Sequence, residues 1–143
     1  MTMMKQRSIS LTNDIQSVTL LSLFVDEVCS DVAVGDPLTM QVNMAMEEAV
    51  VNVINYAYPK GKQGVIHVVA EADDNCLTFT ISDGGTPFDP TAMEDADVTL
   101  PAEERSIGGL GIHLVRNLMD SVSYERRDGK NLLTLKKKIP HHS

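Results

Sequence analysis

Residues 44–58, with the sequence MAMEEAVVNVINYAY, form the most informative stretch of this 143-residue chain. Apolar residues lie on nearly every side of the helix predicted here, which indicates a helix that is buried over most of its surface. Glu48, Asn52 and Asn55 nevertheless follow one another at spacings of four and three, so they share one stripe. Burying these polar groups is costly unless something satisfies them. The stripe is therefore a satisfied polar network, a partly exposed stripe, or a site where Asn52 offers an oxygen to Mg²⁺ and Glu48 acts as a base.

The sequence around this helix predicts an α+β fold, a two-layer sandwich with a mixed, mostly antiparallel sheet and helices on one face. Alternating segments indicate strands, and apolar residues at spacings of three and four indicate helices. The predicted order is a strand at 5–11, a helix ending near 34, a helix at 38–58, strands at 65–72 and 76–82, a helix at 110–120, and strands at 121–127 and 132–139.

Local signals predict where the two long helices begin and end. Asn13 is expected to be the N-cap of the first helix, with Gln16 three residues later as in a capping box. Gly35 is expected to end that helix. Asp36 is then expected to cap the second helix, with Pro37 at its first position.

Residues 83–109 contain glycines, prolines and many acids, and they are too long for an ordinary connection. We expect a functional loop here, with a lid at about residues 87–107. Since the chain contains neither an internal repeat nor an evident linker, residues 1–143 are expected to form a single domain.

Composition argues against several classes of partner. The formal net charge is −8, and aromatic residues make up only 4%. Both values disfavour direct nucleic-acid binding, and the charge disfavours anionic membrane surfaces. No window is long and apolar enough for a membrane span, and no signal peptide is evident, so a cytoplasmic location is expected. Cys29 and Cys76 are expected to be free, packed thiols.

Asp83 ends a predicted strand and is followed at once by Gly84 and Gly85. An Asp-Gly pair is common in turns, so a simple turn is one interpretation. The other is the floor of a ligand pocket. In that case Asp83 would accept a hydrogen bond from an exocyclic amine such as that of adenine, and Gly85 would let a purine ring approach the backbone.

The segment Gly108-Gly109-Leu110-Gly111 opens a predicted helix. Backbone N–H groups at such a helix start favour anions, although glycine-rich turns before helices are frequent. The segment matches neither a dinucleotide fingerprint nor a Walker P-loop. A local phosphate cradle would let an acidic chain bind a polyanion, because affinity follows the local field rather than the net charge.

The order and spacing of three motifs resemble the N, G1 and G2 boxes of the GHKL ATPases, which use the Bergerat ATP-binding fold: Glu48-x-x-x-Asn52, Asp83-x-Gly85 and Gly109-x-Gly111. The resemblance covers residues 9–138. It is closest to the anti-sigma-factor serine/threonine kinases, through four stretches: MEEAVVN (46–52), NYAYP (55–59), DGGTPFDP (83–90) and GLGIHLVR (109–116). Pro87 stands where histidine kinases usually have the last glycine of the G1 box, which favours the anti-sigma branch.

The resemblance implies a role for each matching residue. Asn52 would coordinate Mg²⁺ that bridges the phosphates, and Glu48 would be the general base that takes a proton from an attacking hydroxyl. Asp83 would bind the adenine amino group with Gly85 beneath the ring. The implied nucleotide-binding residues are Asn52, Asn55, Asp83, Gly85, Gly108, Gly109, Leu110 and Gly111.

Other charged residues allow more than one interpretation. Arg105 is either a catalytic group that neutralises charge on the terminal phosphate or a solvated charge beside acidic neighbours. Glu47 could compete for the base role, but it lies on a different helix face from Asn52. The remaining histidines and basic pairs are expected to be structural or solvated: His67, His113, Arg126 and Arg127.

The resemblance implies a regulator that uses ATP and Mg²⁺ as a serine/threonine protein kinase. Such a kinase binds a sigma factor, phosphorylates an antagonist protein and is commonly a homodimer. The alternative is a non-catalytic, nucleotide-sensing module that switches partners when it binds ATP.

Overall fold

The computed structural model describes residues 5–59, 61–92 and 109–139, in which five strands form one sheet in the order β1-β2-β3-β5-β4. All neighbouring strands in this sheet pair antiparallel. The elements are β1 (Lys5–Thr12), α1 (Ser17–Asp31), α2 (Asp36–Tyr56), β2 (Val65–Ala72), β3 (Cys76–Asp83), a 3₁₀ helix (Pro90–Ala92), α3 (Gly109–Leu118), β4 (Ser121–Arg127) and β5 (Lys130–Lys138).

One face of the sheet carries the hydrophobic core. In β2 and β3 every second residue is buried, so one face of each strand points inward. The inward side chains, such as Val68 and Phe79, belong to one cluster with Val25 of α1, Val50 of α2 and Ile112 of α3. The predicted α+β fold with helices on one face is therefore confirmed. Within the described ranges, no helix is long and apolar enough to cross a bilayer.

Asn13 does not cap α1, so the predicted capping box is wrong. Its side-chain amide donates to the carbonyl of Lys62 (2.6 Å) and accepts from the N–H of Gly64 (2.9 Å). The helix begins instead at Ser17, after Gln16, which makes no side-chain capping bond. The Asn13 side chain therefore bonds to the turn before β2 and not to the start of α1.

Gly35 does not end α1, which is a second correction. The helix closes two residues earlier through N–H bonds from Ala33 to Ser30 (3.1 Å) and from Val34 to Cys29 (3.2 Å). Ala33 takes the left-handed conformation, with φ of 57°, that glycine usually occupies in this closing motif. Gly35 is extended and serves as the N-cap of α2.

Since Gly35 is the N-cap, α2 starts one residue earlier than predicted. Asp36 is the first residue of the helix rather than its cap, and Pro37 follows inside the first turn. The proline is accommodated because the first N–H groups of a helix have no intrahelical partner. The aspartate also lies where the helix dipole favours a negative charge.

Both cysteines are free, as expected. Cys29 is buried within the core cluster, and burial raises the pKa of its thiol. Cys76 is half-buried at the start of β3.

Tyr58 fastens the end of α2 to the sheet. Its hydroxyl donates to the carbonyl of Val65 (3.0 Å) and accepts from the N–H of Gly84 (3.2 Å). Its ring lies so close to Gly64 that a Cβ there would be 2.1 Å from the ring carbon Cε1. One side chain thereby connects the helix to the start of β2 and to the end of β3.

Replacing Tyr58 is expected to weaken the fold in a pH-dependent way. Burial raises the pKa of Tyr58, and the charge of Asp83 adds to this rise. The contribution of the phenol is therefore complete below about pH 10 and is lost as the pH rises through the folded-state value. We expect Tyr58→Phe to lower the free energy of unfolding at pH 7 by about 1–3 kcal/mol and to flatten its decline at alkaline pH.

Urea unfolding between pH 7 and pH 11 measures both effects. Tyr56→Phe is the control at pH 7, because the Tyr56 hydroxyl has no hydrogen-bond partner among the described residues and its removal should not lower stability. An alkaline decline that is as steep in Tyr58→Phe as in the wild type would contradict this role for the phenol.

Candidate functional site

The loop after β3 is held against the end of α2. The carbonyl of Ala57 accepts hydrogen bonds from the backbone N–H of Thr86 (2.7 Å) and from its hydroxyl (3.1 Å). Farther along the loop, the ring of Phe88 stacks on Tyr56 with 5.2 Å between the ring centres. These contacts bring the predicted G1 motif to the helix that carries the predicted N motif.

The polar stripe on α2 is partly exposed, which is one of the predicted alternatives, but Asn52 within it is buried. Asn52 is 3% exposed, Glu48 is half-buried and Asn55 is exposed. The Asn52 atom Nδ2 is buried and has no hydrogen-bond partner in the described part of the chain. A satisfied polar network therefore does not account for Asn52, and an unpartnered buried amide is typical of a ligand-binding position.

Tyr56 is a second polar group of this kind, and it lies in the stretch NYAYP (55–59) that carries the family resemblance. Its hydroxyl oxygen is buried and has no partner among the described residues. Burial raises the pKa of Tyr56, so the phenol stays protonated and remains a potential donor at neutral pH. The residue pattern of the helix does not predict an unpartnered hydroxyl here, because a tyrosine ring is expected in a hydrophobic core in any case.

Asp83 lies at the last position of β3 and is 2% exposed. Its Oδ1 accepts hydrogen bonds from the N–H of Gly85 (2.9 Å) and from Nδ2 of Asn131 (2.9 Å). Within the described ranges, no hydrogen bond reaches Oδ2. The buried carboxylate therefore retains one oxygen that can accept a hydrogen bond from a ligand.

Asn131 is a site residue that sequence reasoning missed. It is 4% exposed, and it occupies an inward position of β5 that alternates with the buried Leu133 and Leu135. An amide in an otherwise apolar, inward-facing series is a signal that could have identified it.

Arg126 is exposed on the edge strand β4, as expected, and it also makes a specific contact. Its guanidinium donates to the carbonyl of Gly85 (2.9 Å), which lies in the loop after β3. The reason is its register: Arg126 pairs with Asn131, which in turn pairs with Asp83. Arg127 is exposed and pairs with Glu125 (2.7 Å), as expected of a solvated charge.

Gly84 and Gly85 differ sharply in their surroundings. A Cβ on Gly85 would lie 2.3 Å from the carbonyl oxygen of Ala57, whereas a Cβ on Gly84 would meet nothing within 4 Å. Contact with the end of α2 thus requires glycine at position 85, independently of any purine ring.

The second glycine motif lies at the start of α3. Residues 109–111 form the first turn of this helix, which packs against α2. Backbone N–H groups of a first helical turn lack intrahelical partners, so they can bind an anion. Gly108, Arg105 and residues 93–107 of the predicted lid lie outside the described residues.

The other candidate groups do not assemble into a cluster. Glu47 is exposed, in contrast to the half-buried Glu48. His67 is exposed and its Nδ1 lies 2.8 Å from the hydroxyl oxygen of Ser10. Among the described residues, no group of three or more His, Cys, Asp or Glu side chains could hold a metal ion. A cation here would need oxygens from its ligand, as Mg²⁺ commonly has in phosphate sites.

Comparison with known proteins agrees with this arrangement. The family model of the histidine kinase-like ATPase domain matches residues 11–137. The serine/threonine-protein kinase BtrW of Bordetella bronchiseptica is 31% identical over 98 residues, which cover 68% of this chain and 69% of that protein. The serine-protein kinase RsbW of Listeria monocytogenes is 31% identical over 99 residues, or 66% of this chain and 63% of that kinase. The anti-sigma F factor of Clostridium beijerinckii is 28% identical over 141 residues, or 90% and 97%.

A solved structure shows the same fold. The crystal structure of the RsbU and RsbW domains of a Mycobacterium tuberculosis protein matches 94% of this chain and 32% of that chain, with a TM-score of 0.68. Sequence identity over this match is 15%. The likeness therefore concerns the arrangement of the helices and strands.

The adjacent glycines provide a direct test of how the loop is held. We expect Gly85→Ala to lower the free energy of unfolding by about 1–3 kcal/mol, because the new methyl group would overlap the Ala57 carbonyl. Gly84→Ala should leave stability within about 0.5 kcal/mol of the wild type, because open space surrounds that position. Urea unfolding of the two variants compares them, and equal stability would show that the loop does not rest on α2 as described.

Proposed function

The chain belongs to the histidine kinase-like ATPase domain family, and on that premise we propose that it is an ATP-dependent serine/threonine protein kinase of the anti-sigma type. The observation that carries the proposal is the buried, unpartnered amide of Asn52 on the helix that the Thr86–Ala57 contacts hold against the Asp83 loop. Relatives named as serine kinases and as an anti-sigma F factor support the same activity.

In this proposal, the nucleotide base binds at the end of β3. The free oxygen of Asp83 accepts a hydrogen bond from the exocyclic amine of adenine, which is a donor at neutral pH. Gly85 lies in the loop beneath the ring, and Asn55 contributes from the exposed end of the α2 stripe. Since the Asp83 carboxylate is buried, an unpaired ligand atom at this oxygen would be costly.

The phosphates bind between α2 and the start of α3. The backbone N–H groups of residues 108–111 hold phosphate oxygens, and Arg105 neutralises charge on the terminal phosphate. In this proposal residues 87–107 would act as a lid over the bound phosphates. Most of this cradle is backbone, which explains how a chain of net charge −8 can bind a polyanion.

The residues present fit a magnesium ion. The unpartnered amide position of Asn52 can present its oxygen to a cation, since rotating the amide exchanges oxygen and nitrogen. Mg²⁺ usually takes one or two protein oxygens together with water and phosphate oxygens, which matches this sparse donor set. When bound, it would reduce the repulsion between the phosphates and an incoming nucleophile.

Glu48 acts as the general base in phosphoryl transfer. Its carboxylate takes the proton of a serine or threonine hydroxyl as that oxygen forms a bond to the γ-phosphorus. The bond from the γ-phosphorus to the β–γ bridging oxygen breaks, and ADP leaves. Glu48 is half-buried one helical turn before Asn52, so both residues face the same side of α2.

The proposed partners are a sigma factor, which the protein binds, and an antagonist protein, which it phosphorylates. Its place of action would be the cytoplasm, where these partners work, and its functional unit would be a homodimer of one ATP-binding domain, residues 1–143, per chain. The competing proposal is a nucleotide-sensing module that exchanges partners on ATP binding without transferring phosphate.

Adjacent glutamates offer a matched test of catalysis. With labelled ATP and the antagonist, Glu48→Gln is expected to lose at least about 100-fold in phosphate transfer while retaining ATP affinity, because the amide cannot accept the proton. Glu47→Gln should retain transfer, since Glu47 is exposed on another face. The kinase proposal would be contradicted if the wild type produced no phosphoserine or phosphothreonine, or if Glu48→Gln transferred phosphate as well as the wild type. Partner exchange on ATP binding without any phosphate transfer would identify the nucleotide-sensing module instead.

The magnesium assignment predicts a specific loss in Asn52→Ala. Wild-type protein should bind ATP more tightly with Mg²⁺ than with EDTA, and Asn52→Ala should lose most of that difference because its metal ligand is gone. Calorimetric titrations under the two conditions measure it. Tyr56→Phe, which removes the other unpartnered polar atom of α2, should keep the Mg²⁺ dependence. An unchanged Mg²⁺ effect in Asn52→Ala would remove this residue from the metal site.

A further inference from the structure

Asn131 lies directly beside the proposed base-binding carboxylate. In the register of the sheet, Asn131 of β5 is the partner of Asp83 in β3, and both residues are nearly fully buried. The Asn131 amide is the only side-chain group in the described part of the chain that donates to that carboxylate. Asn131 therefore occupies one side of the Asp83 carboxylate.

The Asn131 amide has one possible orientation. Its Nδ2 donates to Oδ1 of Asp83 (2.9 Å) and to the carbonyl of Thr86 (2.8 Å). Its Oδ1 accepts from the N–H of Phe88 (3.2 Å) and from the hydroxyl of Tyr124 (2.5 Å). A backbone carbonyl can only accept and a backbone N–H can only donate, so exchanging oxygen and nitrogen would break both backbone bonds.

These four bonds use the full hydrogen-bonding capacity of the amide. Asn131 therefore has no donor or acceptor left for a ligand and can act only through Asp83. On the Asp83 side, Oδ1 already accepts two hydrogen bonds, from Asn131 and from the N–H of Gly85. A ligand can then be bound only through Oδ2, and a carboxylate oxygen accepts hydrogen bonds.

We propose that Asn131 is a positioning residue that sets the base specificity of the nucleotide site. By engaging Oδ1 of Asp83, it directs Oδ2 toward the ligand as an acceptor and thereby selects purines with a 6-amino group over purines with a 6-oxo group. A 6-oxo group would place a second acceptor against the buried carboxylate, and such a mismatch is strongly rejected. This inference rests on the proposed function, which places adenine at Asp83.

The surrounding contacts suggest which variants separate positioning from folding. Asn131→Ala removes the donor to Asp83, and Asn131→Leu removes it while nearly preserving size and adding no charge. Tyr124→Phe is the matched control, because it removes one bond to the Asn131 oxygen but leaves the bonds to Phe88 and Thr86 that orient the amide.

The experiment compares the dissociation constants of ATP and inosine triphosphate, which differ at purine position 6, by calorimetry at pH 7.5. Wild type and Tyr124→Phe are expected to prefer ATP by about 10- to 100-fold. Asn131→Ala and Asn131→Leu are expected to retain a preference of less than about threefold, because no side chain then engages Oδ1 of Asp83. Loss of structure alone would weaken both nucleotides together and leave their ratio unchanged.

The outcomes distinguish this inference from the proposed function. If wild-type protein binds neither nucleotide, the proposed function fails, and the inference fails with it. If wild type prefers ATP and the folded Asn131 variants keep that preference, the positioning role is overturned while the nucleotide site stands. Thermal unfolding identifies the folded variants, and Asn131→Leu supplies the test if the cavity left by Asn131→Ala prevents folding.

Discussion

The carbonyl of Ala57 accepts two hydrogen bonds from Thr86, and the arrangement of the candidate site depends on this contact. A helix end leaves carbonyls without intrahelical partners, so the end of α2 can receive a loop from elsewhere in the chain. The absence of a Cβ on Gly85 lets that loop approach closely. Residues that are far apart in sequence, Asn52 and Asp83, are brought to the same part of the molecule in this way.

Two kinds of polar group occur around this contact. Asn131 is buried and uses all of its hydrogen bonds, which join it to the loop after β3, to Tyr124 and to Asp83. Asn52 and Tyr56 each bury a polar atom that has no partner in the described ranges. Such atoms cost stability in the isolated chain, and native proteins tolerate these costs mainly at functional positions. The contrast separates residues that build the site from residues that would meet its ligand.

Much of the fold and part of the site could be predicted because the relevant signals are local. Alternation in β2 and β3 reflects burial of one sheet face, and the stripe on α2 follows from helical spacing. The predictions that were wrong, at Asn13 and Gly35, concern a polar residue and a flexible residue that can each serve in more than one place. A local sequence pattern includes only neighbours along the chain, whereas the folded protein brings residues that are distant in sequence into contact.

The sequence by itself determined the helices and strands, their order, and the motifs that indicate a nucleotide site, because each depends on residue periodicity or on a few neighbouring residues. The tertiary structure decided which polar groups meet. It paired Asn131 with Asp83 across the sheet, left the Asn52 amide unpartnered among the described residues, and placed Gly85 against the Ala57 carbonyl. These relations depend on strand register and on the approach of a helix end to a loop, which no short stretch of sequence encodes.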